Sequence, residues 1–437
     1  PIGNWDNPFQ GTFHGQGHTI SGLYFNDTDV EDVGLFGDVS GTVTIDGVDY
    51  ATELEAEGKF LRGFWTFELI RLFGAAVPYI DLEAYQASTD PQVPNIDENG
   101  NYIYVWDKAA ADLKAAADVL PSDRTGSKQY GRATKWAAKA YLAKLYLYWS
   151  SPYNGKNATA NHYSEAKSLF KEIIDSGVTA KGEKLALAPE YAGLWDNRTY
   201  DTDWNSEVIF DVQQFVSGTT SSVNAINATY YPAFAGAIKG SGWGFYCPSS
   251  DLAHSYLVDP ETGLPLKDYR EKTQKLEDKM AGIDPNNDKV IKTDLTMLCD
   301  PRIDVTMGRF GVAFYDWGTP TEFASWVRNY NNCGPFMNKK MIETSSADGV
   351  TASGTSHKNY HLIRLADVYL MYAECCLKDG GDIAEAVKYT NLVRERAGKS
   401  CLTTAGSGYT LTDAAGNAVC GRTAVRASRQ PNRRRTT

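Results

Sequence analysis

The sequence predicts a mainly α fold. Helical hairpins stack into a superhelix, a large irregular loop-rich insertion interrupts them, and a short β segment precedes them. Three observations carry this reading. Ala- and aromatic-rich segments with helical spacing come in pairs. Residues 178–359, rich in Gly, Asn, Asp, Ser, Thr and Pro, separate the second pair from the third. The first fifty residues instead alternate short apolar runs with glycine turns.

Taken in chain order, the β segment comes first. The stretch WDNPFQGTFHGQGHTISGLYFNDTDVEDVGLFGDVSGTVTIDGV (5–48) repeats Gly at turn spacing. It resembles one GLUG-type repeat of a β-solenoid adhesin, and a single repeat of that kind does not bury its own face. The first helical pair follows, as ELEAEGKFLRGFWTFELIRLFG (53–74) and YVWDKAAADLKAAADVLP (104–121). The second pair opens with GRATKWAAKAYLAKLYLYWS (131–150). There Ala133, Ala137, Ala140, Tyr141, Leu145 and Tyr148 keep the i, i+3, i+4 rule. Trp136, Leu142, Tyr146 and Trp149 fill the other side, so only a narrow stripe around Lys135, Lys139 and Lys144 stays wet. A helix so apolar must be covered on more than one side. Its partner, HYSEAKSLFKEIIDSG, turns Tyr163, Ala166, Phe170, Ile173 and Ile174 to one face and stops at Gly177. The third pair is YHLIRLADVYLMYAECC (360–376), read as one helix, and IAEAVKYTNLVRERAG, ending at Gly398. Tyr163, Ala166 and Phe170 match the Y-x-x-A-x-x-x-F pattern of a tetratricopeptide second helix. Pairs of this type bury their faces by stacking on one another. The domain limits are therefore 1–50, 51–398 (helical pairs 53–121, 131–177 and 360–398; loop-rich lobe 178–359) and 399–437. The last segment ends in a basic, apolar-poor run and is expected to be a disordered or aberrant tail.

Composition narrows the function. The net charge is -11, which disfavours a phosphate-backbone partner, so no nucleic acid is expected. The chain holds 26 Tyr and 10 Trp, side chains that join a flat apolar face to a polar tip. The seven cysteines are scattered and form no CxxC pair, which gives neither a zinc site nor a disulfide framework. Cys375 and Cys376 are read as small buried apolar residues. His14 and His18 lie four apart in a β region, about 13 Å along a strand, too far to share a zinc ion. Asp284, Asn286 and Asp288 have the start of a calcium loop without its Gly and terminal Glu, so calcium is a weak reading and no cofactor is expected. No nucleophile elbow, P-loop or H-E-x-x-H motif occurs. Asp201, Asp203 and Glu207 keep a glycoside hydrolase open, although nothing singles out a pair.

Three segments taken together, AEGKFLRGFWTFELIRLFGAAVPYI, GRATKWAAKAYLAKLYLY and IRLADVYLMYAECCL with LVRERAG, resemble the SusD/RagB-type nutrient-binding outer-membrane lipoproteins of Bacteroidetes. DKAAADLKAAADVLP and LCDPRIDVTM support the resemblance, which covers roughly 51–398. It implies a tetratricopeptide-like helical scaffold and a loop lobe that captures an oligosaccharide or other nutrient at the surface of a Gram-negative cell. It also implies a SusC-like TonB-dependent transporter as partner, a lipid anchor that is absent from these residues, and binding without catalysis. The residues suit that role. Flat aromatics cover the C–H face of a sugar, and Asn, Asp, Gln and Arg answer its hydroxyls. Trp243, Phe245 and Tyr246 stand among glycines in KGSGWGFYCPSSD; Tyr315, Trp317 and Trp326 in FYDWGTPTEFASWVRNYNN; Trp204 in WDNRTYDTDWN. These seven are the candidate glycan contacts. A protein-binding scaffold without a ligand site, favoured if those aromatics are buried, stays open as the alternative, and an adhesin fragment rests on 5–48 alone.

Overall fold

The structure, a computed structural model of the chain, describes residues 50–88, 91–196, 198, 204–213, 247–258, 265–266, 268–269, 299–309, 311–319, 336–340, 342, 344 and 358–397, together with the backbone of short ladders at 44–45/48–49, 283–284/287–291 and 411–412/418–420. The GLUG-like segment, the calcium-like loop and the tail therefore fall, those ladders apart, outside the described residues.

Helix α1 (Tyr50–Phe73) carries Glu53 in its first turn and Arg71 in its last, the arrangement the helix dipole favours. It buries Phe60, Phe64, Phe67 and Ile70. Its opposite face leaves Leu61, Trp65, Leu69 and Leu72 exposed, Trp65 at 61%. After a short helix α2 (Leu82–Ala87), capped by the Asp81 side chain, helix α3 (Trp106–Val119) returns against α1. Gly63 permits that approach, since a Cβ there would lie 2.9 Å from Leu113 Cγ. Asp112, buried on α3, accepts from both Arg62 Nε and Nη2 (2.7 and 2.6 Å) and from the Tyr79 hydroxyl (2.7 Å), so its charge is paired as burial requires.

Helix α4 (Lys135–Trp149) starts at Thr134, whose hydroxyl accepts from the Ala137 amide, and packs between α3 and α5 (Tyr163–Ser176). Its buried alanines 137, 138, 140 and 143 let both neighbours close in. Past the insertion, α8 (Leu365–Lys378) docks on α5, and α9 (Ile383–Arg396) docks on α8. The three predicted pairs thus form one continuous helical stack. Cys375 and Cys376 are fully buried in it, and burial pushes both thiols up from their ordinary pKa.

One element differs from the sequence reading. Residues 360–376 are not a single helix. Tyr360–Arg364 (β2) is extended and pairs antiparallel with Val208–Val212 (β1), with Asp211 opposite His361 and Val212 opposite Tyr360. The helix starts only at Leu365, where the Arg364 amide donates to Asp367 Oδ2 (3.2 Å). A distant strand satisfies the backbone of 360–364, which local propensity cannot foresee. Strand β1 also drives Phe210 into the helical core. That ring meets Phe60 edge-on at 5.1 Å, and Phe64 meets Tyr141 at 4.8 Å. A smaller core of Ala253, Leu257, Ile303, Met307 and Phe336 holds α6 (Ser250–Ser255) and the one-turn α7 (Ile303–Thr306) in the loop lobe.

Glu207 joins lobe and stack. It is fully buried. Its carboxylate accepts from Arg364 and Arg396 and from the Ala188 amide (2.9 Å), while its carbonyl accepts the first amide of α8, at Leu365 (2.9 Å). Removing one partner leaves buried charge uncompensated. Glu207→Ala is therefore expected to cost about 3–5 kcal/mol of unfolding free energy in urea titrations followed by circular dichroism. Cutting the exposed Lys171–Asp175 pair with Lys171→Ala should cost less than about 0.5 kcal/mol. Equal small losses would show that the clamp does not organise the fold.

Candidate functional site

The candidate site is a narrow cleft, with a cavity of about 20 Å³, where three segments meet: the α3–α4 connection, the turn after α5 and the approach to β1. Tyr130 and Arg132 form one wall, Lys181 a second, and Trp204, Asn205 and Asp211 the third. Each wall has a local cause. Gly131 sits where a Cβ would meet Gln213 Cγ at 2.5 Å, so a larger residue there would have to displace the Gln213 side chain. The turn at 179–183 is closed by the Thr179 hydroxyl, which accepts from the amides of Lys181 and Glu183 (3.2 and 3.3 Å), and Gly182 takes φ +79° there. The Arg124 amide donates to the Ala180 carbonyl (2.7 Å), and the buried Arg124 guanidinium bonds Glu53 and Glu57 of α1. Two walls of the cleft are thus tied to one another and to the helical stack.

Within the cleft, the Tyr130 and Trp204 rings stand 5.5 Å apart at 72°. The Lys181 ammonium lies 4.5 Å from the Trp204 ring centre and 5.7 Å from that of Tyr130. Arg132 is engaged by Glu57 through two bonds of 2.7 Å. Asp211 accepts from Gln213 Nε2 (2.6 Å) and Asn359 Nδ2 (3.0 Å). Two half-buried aromatic rings at an angle, beside polar groups, offer the kinds of contact, an apolar face and hydrogen-bonding partners, that a sugar uses.

A second aromatic group lies inside the loop lobe, around Trp195. Its carbonyl accepts from Lys358 Nζ (2.6 Å) and from the Tyr315 hydroxyl (3.2 Å). The Lys340 ammonium sits 4.7 Å from the Trp195 ring centre. Burial pushes the Tyr191 phenol up, but the Lys340 and Arg364 charges, with hydrogen bonds to Lys340 and Thr306, together bring the pKa below its ordinary value. Tyr315 adopts φ +49°, uncommon for a bulky residue, in a turn closed by Phe314 N–H to Gly318 C=O (2.9 Å). Buried Lys339 donates to the carbonyls of Asp304 (2.7 Å) and Ala313 (3.1 Å), and burial lowers its pKa to about 8.

The seven sequence-named contacts therefore separate. Trp204 lines the cleft. Tyr315 is buried beside Trp195, its hydroxyl bonded to two carbonyls, and Trp317 is half-buried in the same turn. Trp243, Phe245, Tyr246 and Trp326 lie outside the described residues. The sequence reading missed Tyr130 and Lys181. Tyr130 was detectable as an aromatic beside a Gly just ahead of a helix cap. Lys181 sat in an ordinary KG turn and carried no signal. Glu207, one of the acids kept for hydrolysis, is fixed between two arginines in the interior.

Lys339 gives a pH signature. Below about pH 8 it is protonated in both folded and unfolded states, so its desolvation cost is present in full. From about 8 to 10.5 the native state releases the proton first and the cost fades, so its contribution to stability rises with pH. Urea midpoints at pH 7.5 and 10 should show the stability of the intact chain, relative to Lys339→Met, shifting toward the intact chain by on the order of 2 kcal/mol. A difference independent of pH would rule out a depressed Lys339.

Comparison with known proteins agrees with this architecture. A family model described as the SusD family matches residues 206–424, and a second, described as starch-binding associating with outer membrane, matches residues 45–147. A SusD-like protein of Bacteroides ovatus is 25% identical over 354 residues, covering 79% of this chain and 53% of its own. A SusD-like protein from Bacteroides fragilis superposes with TM-score 0.56 at 21% identity, over 81% of this chain and 63% of its own. The surface glycan-binding protein A from Bacteroides uniformis does so with TM-score 0.51 at 21% identity, over 80% of this chain and 60% of its own. The chain thus spans about half the length of the curated relative.

Proposed function

The chain belongs to the SusD family, and from that premise we propose that it captures oligosaccharides at the bacterial cell surface and passes them to a SusC-like TonB-dependent transporter in the outer membrane. The observation that carries this reading is the Tyr130–Trp204 pair, set at 72° in a cleft beside the helical stack. A sugar ring gains by laying its C–H face on one aromatic and bonding the polar rim with its hydroxyls. Trp243, Phe245, Tyr246, Trp317 and Trp326 remain proposed further contacts from the loop lobe, as does Tyr315 should that turn rearrange. The protein acts by binding, without breaking the glycosidic bond, and it needs no metal. The glycan-binding name of the Bacteroides uniformis structure supports the ligand class. The buried Tyr315 and Trp195 favour a second reading, a protein-binding scaffold with no ligand of its own.

Affinity electrophoresis in gels containing soluble polysaccharides separates the two. The intact chain should be retarded by at least one glycan. Trp204→Ala should weaken that retardation by roughly ten-fold with unchanged helical circular dichroism, and Trp243→Ala and Trp317→Ala test the loop lobe in parallel. No retardation by any glycan in an intact fold would favour the scaffold. Full retardation of Trp204→Ala would move the site away from the cleft.

A further inference from the structure

We propose that the Tyr130–Trp204 cleft selects an anionic sugar, one bearing a carboxylate or a sulfate ester, with Lys181 as the charge that recognises it. The proposal rests on the glycan-binding reading and narrows its substrate class.

The charge inventory of the cleft leads there. Arg132 lines the cleft, but its guanidinium is spent on Glu57 through two bonds of 2.7 Å. Asp211 is buried and accepts two amide donors, with His361 Nδ1 at 3.8 Å beyond them. Lys181 is different. Among the described residues its ammonium makes no ion pair and no hydrogen bond. Its neighbours are two aromatic faces, 4.5 and 5.7 Å away. A half-exposed ammonium held over aromatic rings has three N–H donors to offer and no acceptor using them. An entering anion would convert the ring contact into a charge-assisted hydrogen bond, roughly twice as strong as a neutral one.

The position of Lys181 is prepared in advance. Its turn is closed by the Thr179 hydroxyl, bent at Gly182 and tied by the Ala180 carbonyl to the Arg124 segment. Little ordering of the backbone is then needed on binding. The net charge of -11 repels polyanions at long range, so any preference for an anionic sugar must come from short-range contacts. A local cation beside the aromatic pair supplies what the rest of the surface opposes. A neutral sugar can take only ordinary hydrogen bonds to its hydroxyls from that ammonium, whereas an anion gains the stronger charge-assisted bond.

The test is calorimetric titration of the full chain with two matched pairs: oligogalacturonate against its carboxyl-reduced form, and carrageenan oligosaccharides against their desulfated form. At least one anionic member should bind roughly ten-fold tighter than its neutral partner, and the pair that responds distinguishes carboxylate from sulfate ester. Lys181→Met should bring that ratio to about one, and Lys181→Arg should keep it. The selectivity is overturned if both ratios are near one in the intact chain, if Lys181→Met keeps the ratio, or if only a neutral glycan binds. In each of those cases glycan capture itself stands. Failure of capture would instead show as no binding by any glycan, neutral or anionic.

Discussion

The fold depends on one buried carboxylate. Glu207 is reached by Arg364, at the junction of β2 and α8, and by Arg396, in the last turn of α9. The three residues lie in different elements of the chain. Taking these charges out of water costs several kcal/mol per ion, repaid only where geometry satisfies the remaining donors and acceptors. Here the Ala188 amide and carbonyl also take part. The clamp therefore specifies a single arrangement of lobe on stack, and any slip of β1 against β2 would strand a charge. It also positions the chain on either side of it. Phe210 enters the helical core three residues after Glu207, and Trp204 reaches the cleft three residues before it.

The loop lobe solves a different problem. Its described part gathers buried apolar side chains into small separate clusters, and many of its carbonyls belong to irregular backbone. Two buried lysines take the place of a sheet. Lys358 donates to the carbonyls of Trp195, Lys340 and Ile342, and Lys339 to those of Asp304 and Ala313. The Tyr315 ring lies 4.9 Å from Lys339 Nζ and 5.4 Å from Lys358 Nζ, which lowers the cost of holding positive charge away from water. Such an interior fixes loops at a few points and leaves their surfaces free to vary. A rigid stack carrying variable loops is how a scaffold commonly serves recognition.

Much of the helical stack was legible in the sequence. The Ala and aromatic spacing of 131–150, the Y-x-x-A-x-x-x-F run at 163–170 and the glycines at 380 and 381 mark helices and their ends through forces that act within a few residues. The candidate site was half legible. Trp204 could be named because a tryptophan among Asn, Asp and Thr has no local packing reason to be there. Its companions could not, because Tyr130 and Lys181 approach it only after α4 and α5 have turned the chain back.

By itself the sequence determined which segments are helical, that their all-round apolarity requires stacking, and that a polar, aromatic-bearing insertion interrupts the stack. Tertiary structure alone decided that 360–364 is a strand, that Glu207 is a clamp and not a free acid, that Tyr315 turns inward while Trp204 stays at the cleft, and that Lys181 has no counter-ion among the described residues. The reason is one of range. Helix formation is settled by neighbours three and four residues away. The pairing of a strand, the burial of a charge and the exposure of a ring are settled by whichever distant residues arrive beside them.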